Sequence, residues 1–526
     1  IEVKDAKINL KGEGSKEHPW LITSYEDMKK LQEGVKSGTT FEGKFFKLTG
    51  DITLPETWEG LGSLKDGETI PSGSSVNPFS ATLDGDGHTI NMAEGCKGFI
   101  KYPRYAVVKN LNLYGKRIEG SALVFSFFID YGKDNTYATG CPWPLIADNV
   151  TLKEGSQTLR AGLIMGGGSG ANPYRLRNCT VEKGVTIGYD KKQSGIGSFC
   201  ASFSGELINC HSAADVYGVD CVGGLAGSKA QSMGSCVFYN SSFTGSITAT
   251  GEEVGGIIAS GYNSASAPNT PIVTVVNCYV EANLTGKNII GGILGTEPSC
   301  KDCWENGSGA IANNSFYGTI TATESNAVVG GTVGFLKSLN KYQTVQDNYY
   351  PEDCGAEKAI GSIEILKDNL KPNETSISVK ESAFTDGTLL KTLNNGSHSM
   401  KNWKQGENYP VHSGETVLYA IELSGNYKAE YKTGEKFDPA GMVITGKLSD
   451  GSTKTIELSD KSLEFSGYNL NERGVQTVTV TYGVAKATYE IRVLYKDSQV
   501  KKGVAYFTLL GDSDHIEPAA ENGPHT

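Results

Sequence analysis

A chain of 526 residues exceeds what one ordinary core holds, so several domains or an extended repeat are expected. Glycine is abundant, at 66 residues against 17 prolines and with no collagen-like period, a balance that suits many tight turns between short strands. The net charge of −11 excludes a general nucleic-acid binder, which needs clustered Lys and Arg, and no apolar run approaches the ~20 residues that span a bilayer.

The chain opens at Ile1 with no initiator Met and no signal-peptide pattern, as a mature or trimmed form would. Residues 14–22 (GSKEHPWLI) lead to Thr23 and Ser24, then to residues 25–35 (YEDMKKLQEGV). Ser24 with Asp27 matches the acidic form of a capping box, and Met28, Leu31 and Val35 recur at helical spacing. That spacing predicts an amphipathic helix covering one end of a stack, where strand edges otherwise stand unpaired. Residues 45–54 (FFKLTGDITL) read as the first strand, and residues 81–91 (ATLDGDGHTIN) as strand, Asp-Gly turn and strand.

Two ladders then alternate along the chain. One consists of Asn110, Asn149, Asn178, Asn209, Asn240, Asn277, Asn314 and Asn348, at steps of 39, 29, 31, 31, 37, 37 and 34 residues. The other is a β-branched residue, a Gly-Gly pair and a short apolar run. It occurs at residues 219–227 (VDCVGGLAG), 254–259 (VGGIIA), 290–295 (IGGILG) and 329–334 (VGGTVG), with weaker relatives at 162–166 (GLIMG) and 195–199 (GIGSF). A unit recurring at that length marks a stacked repeat.

The physical reading is an all-β solenoid, a coil of parallel strands. Each turn places an Asn at a bend, where Asn tolerates left-handed geometry and its amide can bond the next turn. At roughly 4.8 Å per turn, eight such residues stack to a height on the order of 35 Å. The Gly-Gly pairs fit a second corner where the backbone turns tightly, with Val222, Leu225 and Ala226 filling the interior. A propeller of four-stranded blades, ~40–45 residues each, is the alternative. The units vary in length and fall short of four clear strands, which favours the coil.

Residues 125–144 (FSFFIDYGKDNTYATGCPWP) interrupt the repeat. Phe127, Phe128, Tyr131, Tyr137 and Trp143 are the candidate ligand-binding residues, because aromatic faces stack on sugar rings and gather at binding surfaces. The competing reading folds these rings onto the coil as a local core. A second break surrounds Cys300 to Trp304. Past Asn348 the ladders stop, and residues 362–370 (SIEILKDNL) and 381–393 (ESAFTDGTLLKTL) have helix-like spacing. Residues 394–410, with Trp403, Tyr409 and Pro410, read as a second cap. Residues 416–494 change character. Residues 477–482 (TVTVTY) alternate strictly, Gly483 turns, and residues 485–493 (AKATYEIRV) resume, while Asp450-Gly451 joins another hairpin. Several short strands in about 80 residues indicate a β-sandwich. Residues 496–526 hold one strand-like run and a polar tail.

The 11 cysteines cannot all pair within the chain, and several occupy repeat-equivalent positions, as small interior hydrophobes do. Cys300 and Cys303 have a metal-like spacing, but zinc needs two further ligands, and a disulfide or simple packing is the favoured alternative. Asp84-Gly85-Asp86-Gly87 lacks the ligand count of a calcium loop and reads as a turn. No nucleophile elbow, metalloprotease helix or phosphate loop is present. A glycosidase would need two carboxylates facing across a groove; Asp130, Asp134, Asp148 and Glu182 are the candidates. No catalytic residue, metal or cofactor is therefore assigned.

The run from GSKEHPWLITSYEDMKKL through FFKLTGDITL and FSATLDGDGHTI to the VGGLAG and IGGILG blocks, alternating with NC-type strands, resembles bacterial surface proteins with GLUG repeats. That resemblance implies a right-handed parallel β-helix over most of residues 1–414. YKTGEKFDPAGMVI, LSDGSTKTI and GVQTVTVTY resemble a bacterial Ig-like module of group three over residues 415–495, which implies an extracellular setting. Residues 496–526 then begin a further module or form a tail. The expected function is non-catalytic adhesion or glycan and host-matrix binding at the bacterial cell surface, by a monomer without membrane insertion or nucleic-acid contact. A β-helix polysaccharide lyase or glycoside hydrolase, and a structural spacer, are the alternatives.

Overall fold

The computed structural model describes residues 8–68, 75–125, 145–167, 174–229, 236–260, 273–297, 310–338, 344–365, 373–495, 506–508 and 516–518. The chain forms two compact units, Ile1–Gly414 and Glu415–Thr526.

The first unit is a parallel β-helix. One turn shows the plan. Cys236–Tyr239 leads over an Asn bend into Ser242–Phe243, followed by Ser246–Ala249, Val254–Gly255 and Ile258–Ser260. Each strand pairs in parallel with its counterpart one turn on, in the register Cys236↔Val273, Ser242↔Tyr279, Ser246↔Asn283, Val254↔Ile290 and Ile258↔Leu294. Side chains alternate between the two faces of each strand, so one register column points inward along the whole coil. Leu176, Leu207, Phe238, Val275 and Ile311 form such a column and are fully or almost fully buried. Each aliphatic side chain buried this way contributes about 1.5–3 kcal/mol.

The bends are left-handed. Asn110, Asn149, Asn178, Asn209, Asn240, Asn277 and Asn313 have φ between 50° and 57°. Asn209 Nδ2 donates to Asn178 Oδ1 at 2.8 Å, Asn240 to Asn209 at 3.1 Å, Asn277 to Asn240 at 2.9 Å and Asn313 to Asn277 at 2.9 Å. Here the structure corrects the last two rungs. Asn313 and Asp347 take the bend, whereas Asn314 and Asn348 turn inward and are buried.

Asn314 and Asn348 belong to a second, interior column one residue past each bend, which includes Cys179, Cys210, Ser241, Cys278 and Ser376. Most of its members reach back to a carbonyl of the preceding turn: Cys210 Sγ to Leu176 O at 3.4 Å, Cys278 Sγ to Phe238 O at 3.6 Å, Asn314 Nδ2 to Val275 O at 2.8 Å and Asn348 Nδ2 to Ile311 O at 2.7 Å. A thiol or amide of small volume thereby satisfies a buried backbone acceptor.

The Gly-Gly pairs lie at a corner, but their reason is close approach. Gly223, Gly224, Gly255 and Gly256 do not have positive φ. A Cβ on Gly224 would lie 2.0 Å from Gly256 O, and one on Gly256 would lie 2.1 Å from Gly292 O. Successive turns therefore meet backbone to backbone at this corner, where only glycine fits.

Helix α1, Tyr25–Lys36, starts at Ser24, whose hydroxyl accepts from Asp27 N at 3.3 Å, and it buries Met28, Leu31 and Val35. Near the other end, residues 360–365 form a strand and not the start of a helix. Pairing with Val333–Ser338 fixes them in the last turn and overrides their helical spacing. Helices α2 (Ser382–Thr385) and α3 (Thr388–Asn395) follow, then the hairpin Trp403–Gln405 with Pro410–His412. This segment lies along the flank of the coil, on turns that other turns follow. It does not close the coil's end.

The second unit holds a three-stranded sheet (Leu418–Gly425, Met442–Leu448, Thr453–Ile456) and a four-stranded one (Glu430–Lys432, Ala485–Leu494, Gly474–Tyr482, Leu463–Ser466). Ile421, Ile444, Val480 and Ala485 share one core between them. Tyr506–Thr508 pairs antiparallel with Ile516–Pro518.

The glycine corner gives a test. Gly256→Ala should destabilise the first unit by about 3 kcal/mol, as overpacking against backbone does. Gly50, with open space around it, should accept Ala within about 0.5 kcal/mol. Denaturant midpoints of the two variants check the contrast.

Candidate functional site

The predicted binding residues Phe127, Phe128, Tyr131, Tyr137 and Trp143 lie outside the described residues, as do Cys300, Cys303 and Trp304. Their flanks are placed. On one side is Phe125, whose ring nests where a Cβ on Gly60 would come within 2.6 Å, and on the other is Leu145, paired with Ala106. Val124 stands in register with Ile164, in the column that leads through Cys200, Ala226 and Ile258 to Leu294. The last described residues before the two interruptions, Phe125 and Glu297, therefore follow one and the same register column, at Val124 and at Leu294.

The carboxylate candidates do not form a free pair. Asp148 meets Arg177 at 3.2 Å and accepts from Asn178 Nδ2 at 3.0 Å. Glu182 is held by Lys153. Burial alone would raise the Glu182 carboxyl, but the Lys153 ammonium and the Glu154 N–H outweigh it and hold the group below the usual range. Asp130 and Asp134 lie outside the described residues.

These pairs belong to a longer pattern. Lys47, Asp84, Lys109, Asp148 and Arg177 are register neighbours on five successive strands, so opposite charges alternate across the sheet. Lys109 Nζ lies 2.8 Å from Asp84, and Glu206 continues the theme with Arg175 at 3.3 Å. The Asp84–Gly87 stretch is a turn, with Asp86 N donating to Asp84 Oδ1 at 3.0 Å and Asp86 in the left-handed region.

The densest polar cluster is one that the sequence did not reveal. Asn277 Oδ1 accepts from Trp403 Nε1 at 2.7 Å, its Nδ2 donates to Asn402 Oδ1 at 2.8 Å, and its carbonyl accepts from His412 Nε2 at 2.8 Å. Asn402 Nδ2 reaches Asn240 Oδ1 at 2.6 Å. The His412 ring stands 4.8 Å from Trp403, 4.9 Å from Tyr279 and 5.8 Å from His211. Burial pushes His211 down to about 4. Burial, and then the neighbouring His211, push His412 down to about 3. Both rings are thus neutral at ordinary pH. Beside them Tyr409 donates to Glu281, and its ring stacks on Tyr317 at 5.2 Å. His412 lies 135 residues from Asn277, and no local pattern carries a contact of that range.

Among the described residues no three His, Cys, Asp or Glu side chains gather as a metal would require. Cys96, Cys179, Cys200, Cys210, Cys236, Cys278 and Cys354 are buried, and Cys221 is partly so. Burial lifts the Cys200 and Cys210 thiols well above their ordinary value and Cys278 to about 12, so they stay protonated and unreactive.

The second unit decides one comparison. Residues 425–493 match the model of the bacterial Ig-like domain, group 3. This stretch is a bacterial Ig-like domain. The Ig-like domain spans both sheets of the sandwich, from the end of the first strand to Val493. No curated protein matches the chain. One solved structure, of a proposed immunoglobulin A1 protease from Bacteroides ovatus, aligns with 17% identity over 76% of this chain and 94% of its own, at a TM-score of 0.32. A solution structure of a proposed surface protein aligns with 24% identity over 16% of this chain and 93% of its own, at 0.12. Likeness at these scores carries no functional argument.

The cysteine environment is testable. Native chain treated with iodoacetamide at pH 7.5 should leave the seven buried thiols unmodified, and denatured chain should label all of them. Peptide mass mapping reads the difference.

Proposed function

We propose that the chain is a non-catalytic, extracellular bacterial surface protein that binds a glycan or host-matrix surface, as a monomer without metal or cofactor. The observation that carries this reading is the commitment of four carboxylates on the coil. Asp84, Asp148, Glu182 and Glu206 each face a Lys or Arg on a neighbouring turn. Glycoside hydrolysis needs one carboxyl held protonated and a second left free to attack or to activate water. Cation-paired carboxylates favour the ionised form and serve neither role well.

The Ig-like domain supports the extracellular setting, because such sandwiches recur in cell-surface proteins. We read residues 1–414 as a GLUG-type repeat body with a helical cap at its start and a segment along its flank, residues 415–495 as the Ig-like module, and residues 496–526 as the start of a further module or a tail. Binding is assigned to Phe127, Phe128, Tyr131, Tyr137 and Trp143. Their segment interrupts the repeat between the described residues Phe125 and Leu145, and stretches inserted into a rigid scaffold are where binding residues concentrate. The repeated strands are occupied by packing.

The test is a glycan and matrix array run beside a polysaccharide degradation screen. The expected result is saturable binding to at least one array component, with no release of reducing or unsaturated sugar ends. Replacing residues 126–144 with a short Gly-Ser linker should abolish that binding and leave the melting of the coil in place. Sugar release by the purified chain would overturn the reading in favour of an enzyme, and the absence of any binding would favour a spacer.

A further inference from the structure

The flank segment has a property that its packing alone does not require. Residues 382–412 reach the coil through contacts that include Asn402 and Trp403 on Asn240 and Asn277, the Met400 N–H on Asn277, Ser397 on the Asp347 carboxylate, His412 on the Asn277 carbonyl, and Tyr409 on Glu281. Under the segment lie Tyr279, Tyr317 and Tyr349, outward residues of three successive turns, packed with Phe384 and Trp403. Every other link to Asn277 is an amide or indole bond that does not titrate. His412 is the exception.

The His412 ring donates through Nε2, so its second nitrogen carries no proton. That Nδ1 is buried and has no hydrogen-bond partner. The groups around it offer none. His211 on the coil is occupied by Ser242 at Nδ1 and Asn209 at Nε2, and Tyr279 presents an edge-on ring. On the segment itself, Tyr409 is engaged with Glu281, Lys404 with the Ser413 carbonyl and the partly buried His398 with Ser397. No salt bridge reaches either the His211 or the His412 ring among the described residues. A proton added at Nδ1 would create a buried, unpaired N–H and a buried charge beside a second imidazole, a combination the docked state cannot satisfy.

We propose that residues 382–412 form a strap that acid releases from the coil, uncovering the tyrosine row Tyr279, Tyr317 and Tyr349. The direction follows from linkage. Docked, both rings resist protonation; undocked, they return toward the ordinary value of 6.5. The open state therefore binds more protons at any pH between these limits. Docking is at full strength above pH 6.5, weakens as pH falls, and levels off only once pH has passed the docked values of about 4 and about 3. In that window the opening equilibrium rises by about tenfold per pH unit for each ring released.

Hydrogen exchange read by mass spectrometry on the full chain tests this, from pH 7 to pH 4, corrected for the intrinsic exchange rate. Peptides covering residues 399–412 should lose protection by at least about tenfold between pH 6 and pH 5, while peptides covering residues 236–243 of the coil keep theirs. His412→Gln retains a donor toward Asn277 and removes one of the two titrating rings, so its strap should show a flatter pH profile. Should that variant fail to dock at pH 7, the wild-type series still decides. Loss of protection by strap and coil together at one pH would overturn the proposal, as would a strap that keeps full protection at pH 4.

Discussion

The fold depends on one interaction, the side-chain amide bond from the bend of one turn to the bend of the next. A left-handed residue is needed wherever the parallel strands change direction, and Asn is the non-glycine residue that accepts this geometry at least cost. Its amide carries both a donor and an acceptor, so a column of Asn at strand spacing bonds to itself without help from water. Once this column is set, the next residue of each turn points inward, and its identity is constrained as well. Cys, Ser and Asn occupy that position because each is small and can reach the carbonyl of the turn before. The glycine corner is the other half of the constraint. There the turns approach until a single Cβ would meet a carbonyl oxygen at about 2 Å.

Both columns are repeated in sequence, which is why the coil was legible before any coordinates. The periods of the Asn and Gly-Gly ladders gave parallel stacking, and the helix over residues 25–36 was marked by its cap and its apolar spacing. The misreadings have local causes. At residues 313–314 and 347–348 two adjacent side chains both suit a bend, and a period that varies by several residues cannot choose between them. The strand over residues 360–365 carries helical spacing, and only pairing with the preceding turn makes it a strand. The contacts of Asn402, Trp403 and His412 with the middle of the coil span more than a hundred residues and have no periodic signature at all. For the candidate site, the sequence located the interruptions of the repeat, and the structure adds that the described residues before them share one register column, from Val124 to Leu294.

The same physics separates scaffold from function. Interior columns are committed to packing, bends to amide bonds, and many of the outward carboxylates to neighbouring cations. What remains available is the material inserted between turns and the face that the flank segment covers. In the proposed function such inserted residues would do the binding on a rigid coil, with the Ig-like domain following in the chain. The strap adds a second state to an otherwise rigid body, because its anchoring histidine sits where only the neutral ring is tolerated.

The central claim is that the amide column carries stability unevenly, most where the strap meets it. Comparing Asn277→Gly with Asn149→Gly tests it directly, since glycine preserves the left-handed bend in both. Asn277 is buried and bonds two neighbouring rungs and the strap, whereas Asn149 is exposed and its side chain bonds Asn110. Denaturant unfolding should show Asn277→Gly costing about 2–3 kcal/mol more than Asn149→Gly, in line with several buried partners left unsatisfied. Equal losses at the two positions would contradict the account.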